Sequence, residues 1–225
     1  MRMCIDHYPP YHILNGNGRE PTGALVDIAK AIAQRLDLDL VFTGNTPFLR
    51  CLRMMNDGSA DIMMSLLDKS DRREYMYLFR YMDNSNKAFY GLKRRNLDIN
   101  SYKDLKGLSV GVARGYKYFP EFDKEKTFFR KDEASSVTNN FKRLIADRVD
   151  VVIATQIEGD YLIQRSPQFL RHIAPVSYQY VDPNPVYIGL SKKSVHAYRA
   201  REIEKIVSTM RKENEFTRII DSFIN

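Results

Sequence analysis

The sequence predicts an α/β protein of two lobes, each a mostly parallel sheet flanked by helices, with two strands crossing between them. Three observations carry this. The N-terminal third alternates strand and helix as β-α-β-α-β, an order that builds parallel, right-handed sheets. A second unit of like construction occupies residues 109–154. Two apolar strand-like runs, Lys87 to Leu92 and Pro185 to Leu190, stand before and after that second unit.

Each element follows from its pattern. Arg2 to His7 is a short β-rich run closed by Tyr8-Pro9-Pro10-Tyr11, where two prolines forbid regular continuation. Asn15-Gly16-Asn17-Gly18 is a turn cluster. From Gly23, the residues Leu25, Ile28, Ala29, Ile32, Ala33 and Leu36 keep the 3.6-residue period of a helix with one buried face. Leu38, Leu40 and Phe42 alternate with Asp37, Asp39 and Val41 as a strand does. Pro47 opens a second helix that turns Phe48, Leu49, Leu52 and Met55 inward and ends at Gly58. Asp61 to Met64 is the third strand. In the later unit, Ser109 to Ala113 reads as a strand, Phe128-Phe129 as a further one, and Val137, Phe141, Leu144 and Ile145 as one helical face leading into the strand Asp150 to Ala154. Two helices finish the chain. The last carries Phe216, Ile219, Ile220, Phe223 and Ile224 on one face, which must dock on something apolar. Docking on the first lobe gives lobes of 1–89 plus 187–225 and of 90–186, and a cleft lined by loops at the carboxyl ends of parallel strands.

Composition narrows the function. At 225 residues with 44% hydrophobic content, the chain has ample core to fold without staples. No run of about 18 apolar residues is present, so no transmembrane helix is expected. Strand-like sequence begins at Met3, which leaves no room for a leader; the chain is either cytosolic or exported with its leader removed. The net charge of +7 invites a nucleic-acid reading, but the basic residues are dispersed (Arg35, Arg53, Arg72, Arg94, Lys142, Arg165, Arg201) and no arm, motif or single basic helix gathers them. Nucleic acid is therefore not expected as a partner.

Enzyme signatures are missing: no Gly-x-Ser-x-Gly elbow, no phosphate loop, no dinucleotide fingerprint, no His-Glu-x-x-His pair. His7 and His12 flank the proline turn without a completing cluster, His172 and His196 stand alone, and two cysteines, Cys4 and Cys51, are too few and too distant for an ordinary zinc site. No metal, cofactor or catalytic residue is expected. Other groups suit recognition. Tyr8 and Tyr11 either present an aromatic face to a ligand or point into the core. Arg73, in the stretch Ser65 to Glu74 that leaves the third strand, is either a carboxylate grip or part of a solvated charge run. Arg114-Gly115-Tyr116 at the corresponding turn of the second lobe offers a guanidinium fork, close backbone approach and a stacking ring.

Together these pieces resemble the extracytoplasmic solute-binding proteins of family 3, amino-acid-type receptors of ABC importers with the two-lobed type II periplasmic binding fold. The resemblance rests on Tyr8 to Tyr11, Gly23 to Ala33, Gly58 to Ile62, Arg73 ahead of Phe79, Asp104 to Val112, Ala146 to Val151 and the closing helix Ile219 to Ile224, and it covers essentially the whole chain. It implies a periplasmic, non-enzymatic, monomeric receptor that closes by a hinge on a small solute and delivers it to a membrane permease. The family implies that Arg73 clamps a ligand carboxylate and that Tyr8 covers the ligand. Here the chain departs from that pattern. Asp68 stands where Ser or Thr is usual, Tyr116-Lys117 replaces a Ser/Thr pair, and Thr155 replaces the acidic acceptor of the ligand's amino group. A neutral hydroxyl cannot supply that charge-assisted bond. Either Asp68 takes over the ammonium or the ligand is not an α-amino acid, and the second is the expectation: a small polar or anionic organic solute. Tyr8, Tyr11, Asp68, Arg73, Arg114, Tyr116 and Thr155 are the expected cleft residues, with the two arginines as anion contacts. Pro47-Phe48-Leu49-Arg50-Cys51-Leu52 resembles a Pro-Trp-Lys-Arg-Cys-Leu pattern of a divergent branch. In an oxidising periplasm Cys4 and Cys51 are then either a disulfide or two buried thiols. The same fold also serves membrane-coupled sensors and dehydratase-like enzymes; an enzyme here has only Asp68 as an obvious acid or base.

Overall fold

The structure, a computed structural model, describes residues 1–16, 19–82, 86–181 and 184–224. Asn17-Gly18 of the turn cluster lie outside the described residues, as does the side chain of Ile224. The chain divides into two compact units, Met1–Asn84 with Asn184–Asn225, and Ser85–Pro183.

In the first unit, the strands β1 (Arg2–Met3), β2 (Val41–Phe42) and β3 (Ile62–Leu67) alternate with the helices α1 (Ala24–Arg35) and α2 (Phe48–Asp57). The helix α3 (Ser70–Tyr75) follows and leads into β4 (Met76–Met82). The first two strands are shorter than their patterns predict. Past Met3 the chain keeps only scattered bonds, Cys4 N–H to the Ile62 carbonyl and Thr46 N–H to the Ile5 carbonyl, each at 3.0 Å, and then enters the proline turn. Leu38 to Leu40 are not strand, because Asp37 adopts φ 53° and the Leu38 amide turns back to the Ala33 carbonyl, extending the helix exit. α1 buries Leu25, Ile28, Ala29, Ile32 and Ala33 of the stripe its period predicts, and Ala24 and Val26 of its first turn besides; Leu36, also buried, stands at its C-cap.

The second unit opens with β5 (Lys87–Leu92) and a pair of 3-10 turns at Lys93–Arg95 and Tyr102–Leu105. It continues with β6 (Ser109–Ala113), α4 (Pro120–Lys124), β7 (Arg130–Ala134), α5 (Val137–Ile145), β8 (Val151–Thr155), α6 (Gln156–Arg165), α7 (Pro167–His172) and β9 (Ile173–Tyr180). Phe128-Phe129 are not strand. Their rings join an aromatic cluster with Tyr102 and Phe122, and pairing with β6 starts at Arg130. The chain then returns to the first unit as β10 (Val186–Ser191), α8 (Ala200–Lys212) and α9 (Glu215–Ile224). The closing helix buries Phe216 and Ile220 and packs against α1, with Phe216 edge-on to Tyr81 at 5.4 Å.

The sheets share one plan. The first runs β2-β1-β3-β10-β4 and the second β7-β6-β8-β5-β9. In each, three parallel strands are followed by an antiparallel one, β10 or β5, lying between the third strand and the last. This is the two-lobed α/β architecture the element order predicts, and β5 and β10 are the two apolar runs.

Two features tie strands together covalently or through ions. Cys4, just past β1, and Cys51 of α2 form a disulfide among Met55, Ala60, Met63, Leu66 and Met76. In the second sheet, Asp150 sits one residue before β8 and accepts from the Ser109 N–H at 2.8 Å, the Ser109 hydroxyl at 2.6 Å and Arg95 Nη1 at 2.7 Å. Burial alone would push its carboxyl up, but the Ser109 and Arg95 bonds outweigh burial and hold it below the ordinary value of 3.8. A carboxylate depressed in the folded state stabilises fully above its unfolded value and loses that contribution as pH falls through the folded one. Asp150→Asn is therefore expected to lower stability at pH 7 and to flatten the fall in stability between about pH 5 and pH 3. Urea melts at several pH values check this; parallel acid limbs in the two proteins would count against it.

Candidate functional site

In the first unit the site residues arise from two segments. The loop after β1 folds on itself: Tyr8 and His12 exchange backbone bonds at 3.0 and 2.8 Å, and the Tyr11 amide bonds the Tyr8 carbonyl at 2.9 Å. The Pro10 and Tyr11 carbonyls then cap α1 by accepting from the Ala24 and Leu25 amides at 3.1 and 3.0 Å. That substitutes for a side-chain cap, since Gly23 at the N-cap offers none. The Tyr8 and Tyr11 rings lie 5.0 Å apart and are both buried, at 7% and 3% exposure. His12 is buried beside them, its Nδ1 3.8 Å from Asp6. Burial lowers the pKa of His7 against the pull of Asp6.

The second segment is the passage from β3 to α3. Two adjacent arginines part company there. Arg72 turns inward, donating to the Leu67 carbonyl at 2.8 Å and lying over the Phe48 ring, and burial lowers its pKa. Arg73 turns outward and is held by Asp68 through two parallel bonds, Nε to Oδ1 at 2.7 Å and Nη2 to Oδ2 at 2.6 Å. The hydrogen bonds and the charge of Asp68 raise the Arg73 pKa.

In the second unit, β6 ends in a turn in which the Tyr116 amide bonds the Ala113 carbonyl at 3.1 Å. Gly115 takes φ 79° there, which a side chain would resist. The turn is fixed from below by Tyr118, whose buried hydroxyl accepts the Ala113 N–H at 2.8 Å; burial, above all, pushes that phenol well above its ordinary range. Arg114 is exposed and reaches Glu133 of the neighbouring strand β7 at 3.3 Å, while Tyr116 is half-buried against the core clusters on both sheet faces. Thr155 ends β8 and starts α6.

The expected site residues thus fall into local sets: Tyr8 with Tyr11, Asp68 with Arg73, Arg114 with Tyr116. Asp68 and Arg114 follow, and Thr155 forms, the carboxyl ends of parallel strands, where open α/β sheets present ligands. Both guanidinium groups expected as anion contacts already carry a carboxylate of their own unit, Asp68 and Glu133. The sequence reading missed two buried charged residues beside Thr155. Lys87, 3% exposed, faces Thr155 across one ladder and Tyr180 across the other, and Glu158, 3% exposed, lies in the first turn of α6. A lysine opening an otherwise apolar strand was the available signal. Among the described residues no three His, Cys, Asp or Glu side chains converge to hold a metal, and no helix is long and apolar enough to cross a membrane.

Two five-stranded α/β units of one plan are the architecture of a type II periplasmic binding protein. The family model of the bacterial extracellular solute-binding proteins, family 3, matches residues 1–225, and the chain belongs to that family. Curated protein sequences give no match. Among solved structures the chain is similar to an ancestral arginine-binding protein bound to arginine, at 21% identity, 100% of this chain, 97% of that one and a TM-score of 0.83. It is similar to an arginine third transport system periplasmic binding protein from Legionella pneumophila, at 16% identity, 99% and 97% coverage and 0.83. It also resembles the ancestral amino-acid-binding protein AncCDT-1, a precursor of cyclohexadienyl dehydratase, at 18% identity, 100% and 95% coverage and 0.81. These likenesses establish the fold of periplasmic amino-acid-binding proteins.

Proposed function

We propose that this protein is a periplasmic, monomeric receptor that captures a small polar organic solute by closing its two units on it and hands it to the membrane permease of an ABC importer. The observation that supports this reading is that each unit of a family 3 chain has an exposed arginine–carboxylate pair at the carboxyl end of a strand: Asp68, just past β3, with Arg73 of α3, and Arg114, just past β6, with Glu133 of β7. Tyr8, Tyr11 and Tyr116 supply the aromatic surface, and Thr155 a neutral hydroxyl where an ammonium acceptor would otherwise stand. No chemical step is assigned to the protein.

A solute that binds only the native state must raise its melting temperature. At 100 times Kd the gain is about 2.7 kcal/mol, or roughly 5–10 °C for a chain of this size. A thermal-shift screen over amino acids, amines, organic acids and short peptides is expected to find such a solute. Arg114→Ala, which removes a side chain 61% exposed, is expected to leave the melt of the empty protein nearly unchanged and to weaken capture about tenfold. A screen in which nothing stabilises the protein would overturn the receptor reading.

A further inference from the structure

Arg73 and Asp68 lie five residues apart on the passage from β3 to α3, and their two parallel bonds, at 2.7 and 2.6 Å, are the arrangement by which a guanidinium grips the carboxylate of a ligand. Both remain within reach of solvent, with side chains 54% and 37% exposed. Two neighbouring cations are engaged elsewhere. Arg72 is buried on the Leu67 carbonyl and Phe48, and Lys192 is spent on the Arg73 carbonyl at 2.6 Å and the face of Tyr77.

We infer that Asp68 is a specificity-determining residue: the chain's own carboxylate fills the fork of Arg73, so this unit disfavours solutes that offer a lone carboxylate and favours those that bring a cationic nitrogen. The inference rests on the receptor reading and narrows its solute class. A carboxylate arriving at Arg73 competes with one tethered five residues away, whose effective concentration is on the order of millimolar or higher. Once displaced, Asp68 stays beside the newcomer as a like charge. A cationic nitrogen meets the opposite situation. An ionised carboxylate has about four lone-pair sites, and Arg73 takes two of them, one on each oxygen, leaving acceptor capacity facing solvent.

The test uses probes that need no knowledge of the natural solute. Acetate is titrated into wild type, Asp68→Asn and Asp68→Ser while the Arg73 Nε–H resonance is followed by 1H–15N NMR. Both variants are expected to bind acetate at Arg73 about tenfold more tightly than wild type. Methylammonium is expected to shift that resonance only in wild type. Equal acetate binding in all three proteins, or no response in any, overturns the inference. The solute screen separates this from the reading beneath it. If solutes stabilise the protein but acetate does not distinguish Asp68→Asn from wild type, the filter falls and the receptor stands; if acetate distinguishes them and no solute stabilises either, the receptor reading falls, taking the solute filter with it, and only the local competition at Arg73 stands.

Discussion

Breaking the Cys4–Cys51 bridge is expected to lower the melting temperature by roughly 10 °C, through either reductant or a Cys51→Ser exchange. The bridge closes a 47-residue separation, and in the chain-entropy account it removes freedom from the unfolded chain equivalent to about 4 kcal/mol. Both cysteines are 1% exposed and surrounded by Met55, Met63, Leu66 and Met76, so the opened thiols stay in an apolar site that tolerates them as small hydrophobes. The loss should therefore be dominated by loop entropy. The bridge ties the chain just after β1 to α2, with the two-residue strand β2 between them in sequence. A two-residue strand has little ladder of its own to hold position. Calorimetry with and without reductant checks the prediction; a shift under about 3 °C would mean that the apolar cluster alone fixes α2.

Gly23→Ala is expected to cost about 3 kcal/mol or more and to disable capture even where folding survives. Two independent penalties meet at this residue. Gly23 has φ 123° and ψ 164°, a region essentially restricted to glycine. A Cβ there would also stand 2.5 Å from the Tyr11 carbonyl oxygen and 2.7 Å from that of Pro10. These two carbonyls cap α1, so relief cannot come from a side chain swinging aside. The backbone of the Tyr8–Tyr11 loop must lift, uncapping the helix and moving both rings. Denaturant melts measure the first effect. The second appears as a solute, found in the screen, that stabilises wild type and no longer stabilises the variant at a temperature where both are folded.

The fold was legible because its signals are local. The 3.6-residue stripe of α1, the β-α-β order and the apolar runs of β5 and β10 depend on near neighbours, and each appears where its pattern places it. The errors came where a boundary is decided by tertiary bonds. Leu38 to Leu40 alternate like a strand, yet the Leu38 amide is claimed by Ala33; Phe128 and Phe129 have strand character, yet their rings are claimed by an aromatic cluster. The candidate residues were visible by type and position, but their partners were not. Asp68 to Arg73 spans a loop and a helix start, which no helical spacing describes, and Glu133 reaches Arg114 only because β7 lies beside β6. Lys87, opening the apolar strand β5, was read only as part of that run, and Glu158 lies in α6, a helix the sequence reading did not identify.

The placement of β10 has a consequence for how the protein is made. The first sheet cannot be completed until Val186 has emerged, 104 residues after Met82 closes β4. The second unit is one continuous stretch, Ser85–Pro183, and contains every strand of its own sheet. The later-synthesised unit is thus the first that can fold to completion. The N-terminal one waits with β3 and β4 unpaired along the edges that β10 will join, so the interval of greatest aggregation risk falls on the half of the chain synthesised first.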